Sequence, residues 1–318
     1  ANFGFRDESL NARNTFSPTK EPTQQQRYNV SFQGPLAEGK TGISLSVGGN
    51  NAYDSRTILA QTPAAGTVAG LARNTTDGLN ATFRLDHDLG QGAQIRAEYS
   101  RRSNTRGNLG VGDFDLAERA FDNDTVSDTF RVRNTRVIGK KLFSELKFEF
   151  TSNDATTTSL SSAPSVRVND AFTSGGAGQS GVRSSREIEI AQNFDFTVRR
   201  KHSMRAGVLF EAGWWNSTQQ QNTNGTYVFT SLDAYNQGRP ATYSIRVGDP
   251  LVEYSQVKAA WFLQDDFRLG RTLSVSLGLR HELQTQVGDW LNLAPRAAFT
   301  WNATRKTTVR GGYGLFYD

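Results

Sequence analysis

Apolar side chains in this chain recur at every second position. From Gln256 onward, Val257, Ala259, Trp261 and Leu263 share one face of an extended segment, while Gln256, Lys258, Gln264 and Asp266 share the other. Ala260 and Phe262 are out of step. After the turn RLGR, Leu273, Val275, Leu277 and Leu279 alternate with Thr272, Ser274, Ser276, Gly278 and Arg280. Period two sustained in this way predicts half-apolar strands joined as a hairpin. Strands of about ten residues are long for a soluble sheet, where about five or six is usual. They match the length of a tilted strand crossing a bilayer.

The rhythm repeats along the chain. Tyr28, Val30 and Phe32 precede AEGK, and Ile43, Leu45 and Val47 follow it. Leu79, Ala81, Phe83 and Leu85 lead into DLGQG, with Ile95, Ala97 and Tyr99 beyond. Further pairs run from Phe130 and Val132 to Leu146, Phe148 and Phe150, and from Ile188, Ile190, Phe194 and Phe196 to Met204, Ala206, Val208 and Phe210. A last pair runs from Phe299 and Trp301 to Val309, Tyr313 and Leu315. About twelve strands follow, or about thirteen if TYVFTS is one. Short turns centre near residues 38, 90, 140, 200, 269 and 304. Long polar loops are expected over roughly 51–75, 102–124, 153–184 and 215–252, with a shorter link at 284–291. Short turns on one side and long loops on the other are the asymmetry of an antiparallel transmembrane β-barrel, with its turns periplasmic and its loops external. Loops this long are uncommon in compact soluble domains.

Composition supports this reading. The 318 residues are only 36% hydrophobic, with a mean hydropathy of -0.55. A barrel wall tolerates that, because only alternate side chains meet lipid. No apolar run approaches the 18 or so residues of a helical span. The chain has no cysteine, so disulfide scaffolds and thiolate metal sites are excluded. The net charge of +5 is not gathered into a stripe with aromatic platforms, and nucleic acid is not an expected partner. Several short turns are basic, carrying Lys40, Lys140, Lys141, Arg199, Arg200, Lys201, Arg271 and Arg305. No signal peptide begins the sequence.

Charged residues at Arg84, Asp86, Arg96, Glu98, Arg131, Arg133, Glu145, Lys147, Glu149, Glu187 and Glu189 fall at the polar parity and suit a wet or protein-filled lumen. The same residues could face water in a soluble sandwich; strand length and aromatic placement favour the membrane. Tyr28, Tyr99, Trp214, Trp215, Trp290, Trp301, Tyr313 and Phe316 lie near strand ends, where interfacial girdles place aromatics. In the external loops Trp214, Trp215, Tyr227, Tyr235 and Tyr243 are candidate substrate contacts, or alternatively cover the rim.

Catalytic and metal signatures are weak. Asp265 and Asp266 are adjacent in a strand, so they point to opposite faces and cannot share one acid–base site. Asp113, Asp115, Asp122, Asp124 and Asp128 are clustered oxygens in a loop, without the glycine-centred spacing of a calcium loop. The three histidines, His87, His202 and His281, lack ligand spacing. Metal ligands, an organic cofactor and catalysis are not expected.

The C-terminal stretches WFLQDDFRLGRTLSVSLGLRHE, LAPRAAFTW and TTVRGGYGLFYD resemble the barrel of a TonB-dependent outer-membrane receptor. The N-terminal FGFRDESLNARNTFSPTK and GPLAEGKT, with SLDAYNQGRPATYSIRVGDP in a loop, resemble more narrowly the Oar-like group, which carries an upstream carboxypeptidase-regulatory-like domain. The residues that carry the motif are Gln264, Asp265, Asp266, Pro295, Arg296, Arg310, Gly311, Gly312 and Tyr313. For the adjacent glycines 311 and 312 a bulge, tight curvature or close plug approach are the local readings. The resemblance implies a barrel of about 22 strands closed around a plug. Residues 1–318 then represent part of a single barrel domain, with the plug and regulatory-like domain not present. It further implies energy-coupled uptake of an unidentified extracellular substrate, contact with outer-membrane lipid, and coupling to the TonB complex through the plug segment. The expected location is the outer membrane of a Gram-negative-type bacterium. The alternatives are a non-transporting surface barrel for adhesion or anchoring, a passive porin, and a soluble β-rich binding protein.

Overall fold

The alternating segments zip together in chain order. The computed structural model describes residues 1–10, 12, 20–199, 201–288 and 290–317. Its strands are β1 (Asn2–Asp7), β2 (Gln24–Ala37), β3 (Thr41–Thr62), β4 (Gly66–Gly90), β5 (Ala93–Leu109), β6 (Phe121–Ile138) and β7 (Leu142–Ser159). Two short strands, β8 (Ser165–Val168) and β9 (Phe172–Ser174), precede β10 (Gln179–Val198) and β11 (His202–Ser217). Then come β12 (Gln220–Gln221), β13 (Thr226–Phe229), a one-turn helix α1 (Leu232–Asn236) and β14 (Thr242–Ser244). The chain continues with β15 (Val252–Leu269), β16 (Leu273–Gln284), β17 (Asn292–Asn302) and β18 (Thr308–Gly314).

The wall is one antiparallel sheet in the order β1-β2-β3-β4-β5-β6-β7-β10-β11-β15-β16-β17-β18. All twelve segments marked by alternation belong to it. The expected thirteenth, at Thr226–Phe229, is a strand, but it pairs with β8 and β14 in a separate four-stranded sheet. The additional wall strand is β1, whose residues lie in the N-terminal motif; residues 11 and 13–19 of that motif, and Asp318, fall outside the described residues, as does Arg200.

The two faces separate cleanly. One row of directly opposed residues runs Phe32, Leu45, Phe83, Tyr99, Phe130, Phe150, Ile188, Ala212 and Val257. Phe32, Leu45, Phe83, Tyr99 and Phe130 are exposed from the protein, as a lipid-facing surface requires. On the other face the matching row is Ser44, Arg84, Glu98, Arg131, Glu149, Glu189, Glu211, Lys258 and Gln284. Phe262 lies on this inner face, which explains its break in the pattern. It sits beside Gly207, where an added Cβ would come 2.5 Å from the ring and 2.5 Å from the Asn193 side-chain oxygen.

Two expectations are corrected. Residues 51–75 are not a loop: β3 is 22 residues long and β4 is 25, and they stay paired from Thr41–His87 to Thr62–Gly66. Apolar alternation stops at Asn50 because the strands leave the lipid there, whereas the backbone ladder needs no apolar side chains. For the same reason β5, β6, β7 and β10 extend into the expected loops 102–124 and 153–184. The Gly311–Gly312 stretch is not a bulge, since β17 and β18 pair without a register break; the Phe299 ring lies over Gly311, 2.7 Å from where a Cβ would stand.

Phe130→Arg on the outer face should cost about 2–4 kcal/mol of refolding stability in vesicles, while Thr129→Arg on the inner face should cost less than about 1 kcal/mol. Urea titration of both variants checks the assignment of faces. Gly207→Ala should destabilise the barrel by about 1–3 kcal/mol, and adding Phe262→Ala should recover most of that loss, read as coupling in a double-mutant cycle.

Candidate functional site

Apolar residues inside the polar loops build a separate core. Ile58 and Ala60 from β3, Val111 and Ala120 from the β5–β6 loop, Val168, Ala171 and Phe172 from the β7–β10 loop, and Phe229 from the β11–β15 loop form one buried cluster. Elsewhere among the described residues the buried apolar side chains are the alanines Ala93, Ala191, Ala212 and Ala294 of the wall. The β3–β4 ladder has no register break, and Ile58 and Ala60 share the parity of inner-facing Ser44. The core therefore packs on the lumen side of the strand extensions, and the loops form a cap leaning over the barrel mouth.

Backbone bonds stitch the cap to the wall. Leu59 N–H donates to Asp113 O and Asp113 N–H to Thr57 O, both at 2.7 Å, and Gln61 N–H donates to Ala171 O at 3.0 Å. Leu116 and Thr173 bond the β5–β6 loop to β9. The Tyr235 ring stands edge-on to Phe172 at 5.3 Å and to Phe229 at 5.2 Å, locking α1 into the core. Ser231 caps that helix by accepting from the Ala234 N–H.

Three loops of the cap enclose a polar cavity of about 820 Å³. Asp113, Phe114, Asp115 and Arg119 line it from one loop, Arg167, Asn169, Asp170 and Thr173 from the second, and Asn222 and Thr226 from the third. Asp113, Asp170 and Asn222 all hold left-handed backbones, with φ of 54°, 56° and 54°. Aspartate and asparagine tolerate this conformation better than other side chains do. Asp113, Asp170, Arg167 and Asn169 are exposed and carry side chains without a polar partner among the described residues. Arg119 is the structural cation: it donates to Ser165 Oγ at 2.9 Å and to the Gly176 carbonyl, and lies 3.8 Å from Asp115. Burial holds its guanidinium below the ordinary arginine value, opposed by Asp115 and Glu118.

Below the cap the inner face carries paired charges. Arg131 donates twice to Glu149, at 2.8 and 3.0 Å, and approaches Glu98 at 3.5 Å. Glu145 accepts from Arg133 and Lys147, Arg96 reaches Asp86 at 2.5 Å, and Arg205 reaches Asp195 at 2.6 Å. Glu149, Glu189 and Glu211 stand directly opposite one another, a like-charge run that costs energy unless relieved. Arg131 relieves one end and Lys258, 3.9 Å from Glu211, the other. The curved wall near the short turns also encloses about 1010 Å³ beside Arg84, Asp86, Arg96 and Arg133, remote from the loops.

The candidate loop aromatics divide. Tyr235 belongs to the cap core, and Tyr227 packs on Tyr243 at 4.4 Å at the edge of the cap sheet. Trp214 and Trp215 are neighbours on β11 and point to opposite faces. Trp214 is exposed on the lipid side, whereas Trp215 stacks on Tyr254 at 4.8 Å and overhangs the lumen beside Glu187. In the C-terminal motif, Gln264 donates to Asp266 on the inner face, and Asp265 on the outer face pairs with His202 at 2.6 Å. The Pro295 carbonyl accepts from Leu315, Arg296 lies 4.6 Å over the Phe316 ring, and Arg310 stands opposite Thr300. Tyr313 is exposed, opposite Ala297. Of the acidic loop residues, Asp128 bonds Tyr99 and Arg101, and Asp122 accepts from Asn108; no metal-holding group of carboxylates and histidines occurs among the described residues. Sequence reasoning missed Arg119 and the cap core. The one signal for the core was the short apolar alternation in SVRV and TYVF.

A long-stranded wall, apolar outside and charged inside, with short turns at one end and a folded cap at the other, defines an outer-membrane β-barrel. Residues 50–289 match the family model described as outer membrane beta barrel domain, and the chain belongs to that family. It is located in the outer membrane of a Gram-negative-type bacterium. The fold resembles TonB-dependent receptor barrels. The outer membrane transporter YddB from Escherichia coli aligns with a TM-score of 0.65 at 12% identity, over 92% of this chain and 38% of that one. The ferric enterobactin receptor PfeA (G324V mutant) from Pseudomonas aeruginosa gives 0.56 at 14%, over 98% and 43%. The siderophore receptor PirA from Acinetobacter baumannii gives 0.55 at 14%, over 98% and 42%. The chain thus spans about two fifths of the length of these structures. No curated protein matches the sequence.

Phe172→Ala should remove roughly 3–5 kcal/mol of packing from the cap. The expected result is faster hydrogen exchange over 160–178 and 218–251 with unchanged exchange in the wall strands.

Proposed function

We propose that residues 1–318 form part of the barrel of an energy-coupled outer-membrane receptor of the Oar-like group, which captures an external substrate in its loops and passes it through the lumen. The observation that carries this reading is the cap: three loops share a core, lean over the lumen side and enclose a polar cavity. A passive pore gains nothing from such a structure, whereas a receptor needs an ordered external surface above its channel. The charged inner face fits a plug domain supplied by the rest of the protein. On this reading the plug carries the segment that the TonB complex pulls, and Trp215 lies along the substrate's path into the lumen. The protein acts by binding and translocation, not by catalysis.

Substrate polarity follows from the cavity. Asp113, Asp170, Arg167 and Asn169 have free hydrogen-bonding capacity there, and Phe114, Val168 and Ala177 are the apolar members of the lining. A polar solute can exchange the water on these exposed groups for direct, charge-assisted hydrogen bonds, which an apolar solute cannot do.

The test is whole-cell depletion of a mixed solute pool, followed by mass spectrometry, in cells with and without the full-length protein. At least one polar solute should be depleted by expressing cells only while the inner-membrane proton gradient is intact. Asp113→Asn with Asp170→Asn should reduce that depletion by about tenfold or more, the scale of charged hydrogen bonds. Depletion that persists after the gradient is collapsed would establish a passive pore. No depletion, together with attachment of the cells to surfaces, would establish an adhesin.

A further inference from the structure

The four short turns that join β6–β7, β10–β11, β15–β16 and β17–β18 are neighbours, because those eight strands are consecutive in the sheet. At roughly 4.8 Å per strand they span an arc on the order of 30 Å along one rim. Lys140, Lys141, Arg199, Lys201, Arg271, Arg305 and Lys306 occupy them, all exposed. No aspartate or glutamate occurs in residues 139–141, 199–201, 270–272 or 303–307. None of these seven cations makes a side-chain hydrogen bond or ion pair among the described residues. The other two turns differ: Glu38 accompanies Lys40 in one, and Gln91 with Gly92 forms the other. The nearest carboxylates on the strands above are engaged elsewhere, Asp265 with His202, Asp266 with Gln264 and Asp195 with Arg205.

We infer that this rim binds the acidic headgroups of phospholipids in the periplasmic leaflet. Two features select a lipid over a soluble polyanion. The first is that apolar side chains run down to the turns. Ile138 flanks the first, Val198 the second, Leu269 the third and Trp301 the fourth, each at outer-face parity and exposed from the protein. Acyl chains that cover those residues bring their headgroups level with the cations, and a tryptophan at this depth marks the lipid–water interface. The second is that the cations lie at flexible side-chain tips on separate hairpins. They suit several small mobile anions better than one rigid ligand. Lysine and arginine clusters next to a membrane attract anionic lipid in an additive and salt-sensitive way. The bias covers four of the six turns, so it gives the barrel a lipid-preferring sector instead of a uniform belt.

The test uses the full-length protein in mixed bilayers with spin-labelled lipids, in which electron paramagnetic resonance separates protein-contacting from bulk lipid. Labelled phosphatidylglycerol should associate about twofold or more over labelled phosphatidylcholine, and 1 M salt should abolish most of the difference. The combined variant Lys140→Gln, Lys141→Gln, Lys201→Gln and Arg271→Gln should lose more than half of the preference. Arg56→Gln with Arg239→Gln, both at the external end, should leave it unchanged. The salt arm on the unaltered protein keeps the test decisive if the combined variant fails to insert. Equal association of the two lipids would overturn the inference. So would a preference that survives both salt and the variant. Retention of the protein on isolated peptidoglycan, lost in the same variant and unaccompanied by lipid preference, would overturn it in favour of that polymer.

Discussion

The structure depends on the need to pair every backbone N–H and C=O that lies in hydrocarbon. A peptide group left unpaired in lipid costs several kcal/mol, and only helices and strand ladders avoid that. No helix of the described residues is long and apolar enough to cross a membrane. The ladder carries the whole load, running unbroken from Thr41–His87 to Thr62–Gly66 in β3–β4 and through sixteen opposed pairs in β11–β15. Register follows from it. Side chains alternate with period two, so a slip of one residue would send Arg131 and Glu149 into lipid and Phe130 and Phe150 into the lumen. The irregularities sit near strand ends, at Pro35/Ala37, Asp88/Gly90 and Arg106/Leu109.

The lumen face shows what the ladder then permits. Charges at half-exposed positions are worth little as isolated pairs, yet here they are placed opposite one another by register, so that Arg131 serves Glu149 and Glu98 together. The run Glu149, Glu189 and Glu211 is the exception, its middle carboxylate without a partner among the described residues. A sheet selected for stability alone would place a cation there.

Sequence alone exposed the wall and obscured the cap, for a physical reason. Alternation is written where one face meets lipid, so Leu45, Phe83 and Trp261 announced their strands. Past Asn50 both faces meet water or protein, the apolar signal fades, and the ladder continues unmarked through Asn51–Asp77 and beyond. Reading polarity as loop was therefore natural and wrong for the extensions of β3, β4, β5 and β6. The aromatic candidates were ambiguous for a related reason: sequence gives a ring's position but not its face, and Trp214 and Trp215 end on opposite sides of one strand. The Gln264–Asp266 cluster was legible because strand parity alone separates its two carboxylates, as the partners of Asp265 and Asp266 bear out.

Among the described residues, a buried apolar core occurs only where the chain has left the bilayer. Lipid is as apolar as a leucine side chain, so the wall gains nothing by turning its large residues inward, and its buried apolar positions are alanines. In water, burial of apolar surface again drives association, at about 25 cal/mol for each Å² removed. Loops of this length otherwise remain disordered, because ordering them costs more entropy than their few contacts return. Ile58, Val168, Phe172 and Phe229 reverse that balance by meeting in one cluster. The wall itself anchors that cluster, since Ile58 and Ala60 are continuous with a transmembrane strand and the Asp113–Thr57 and Asp113–Leu59 bonds extend the ladder sideways into the loops. The position of the cavity is thereby fixed relative to the lumen by the same hydrogen bonding that holds the barrel in the membrane.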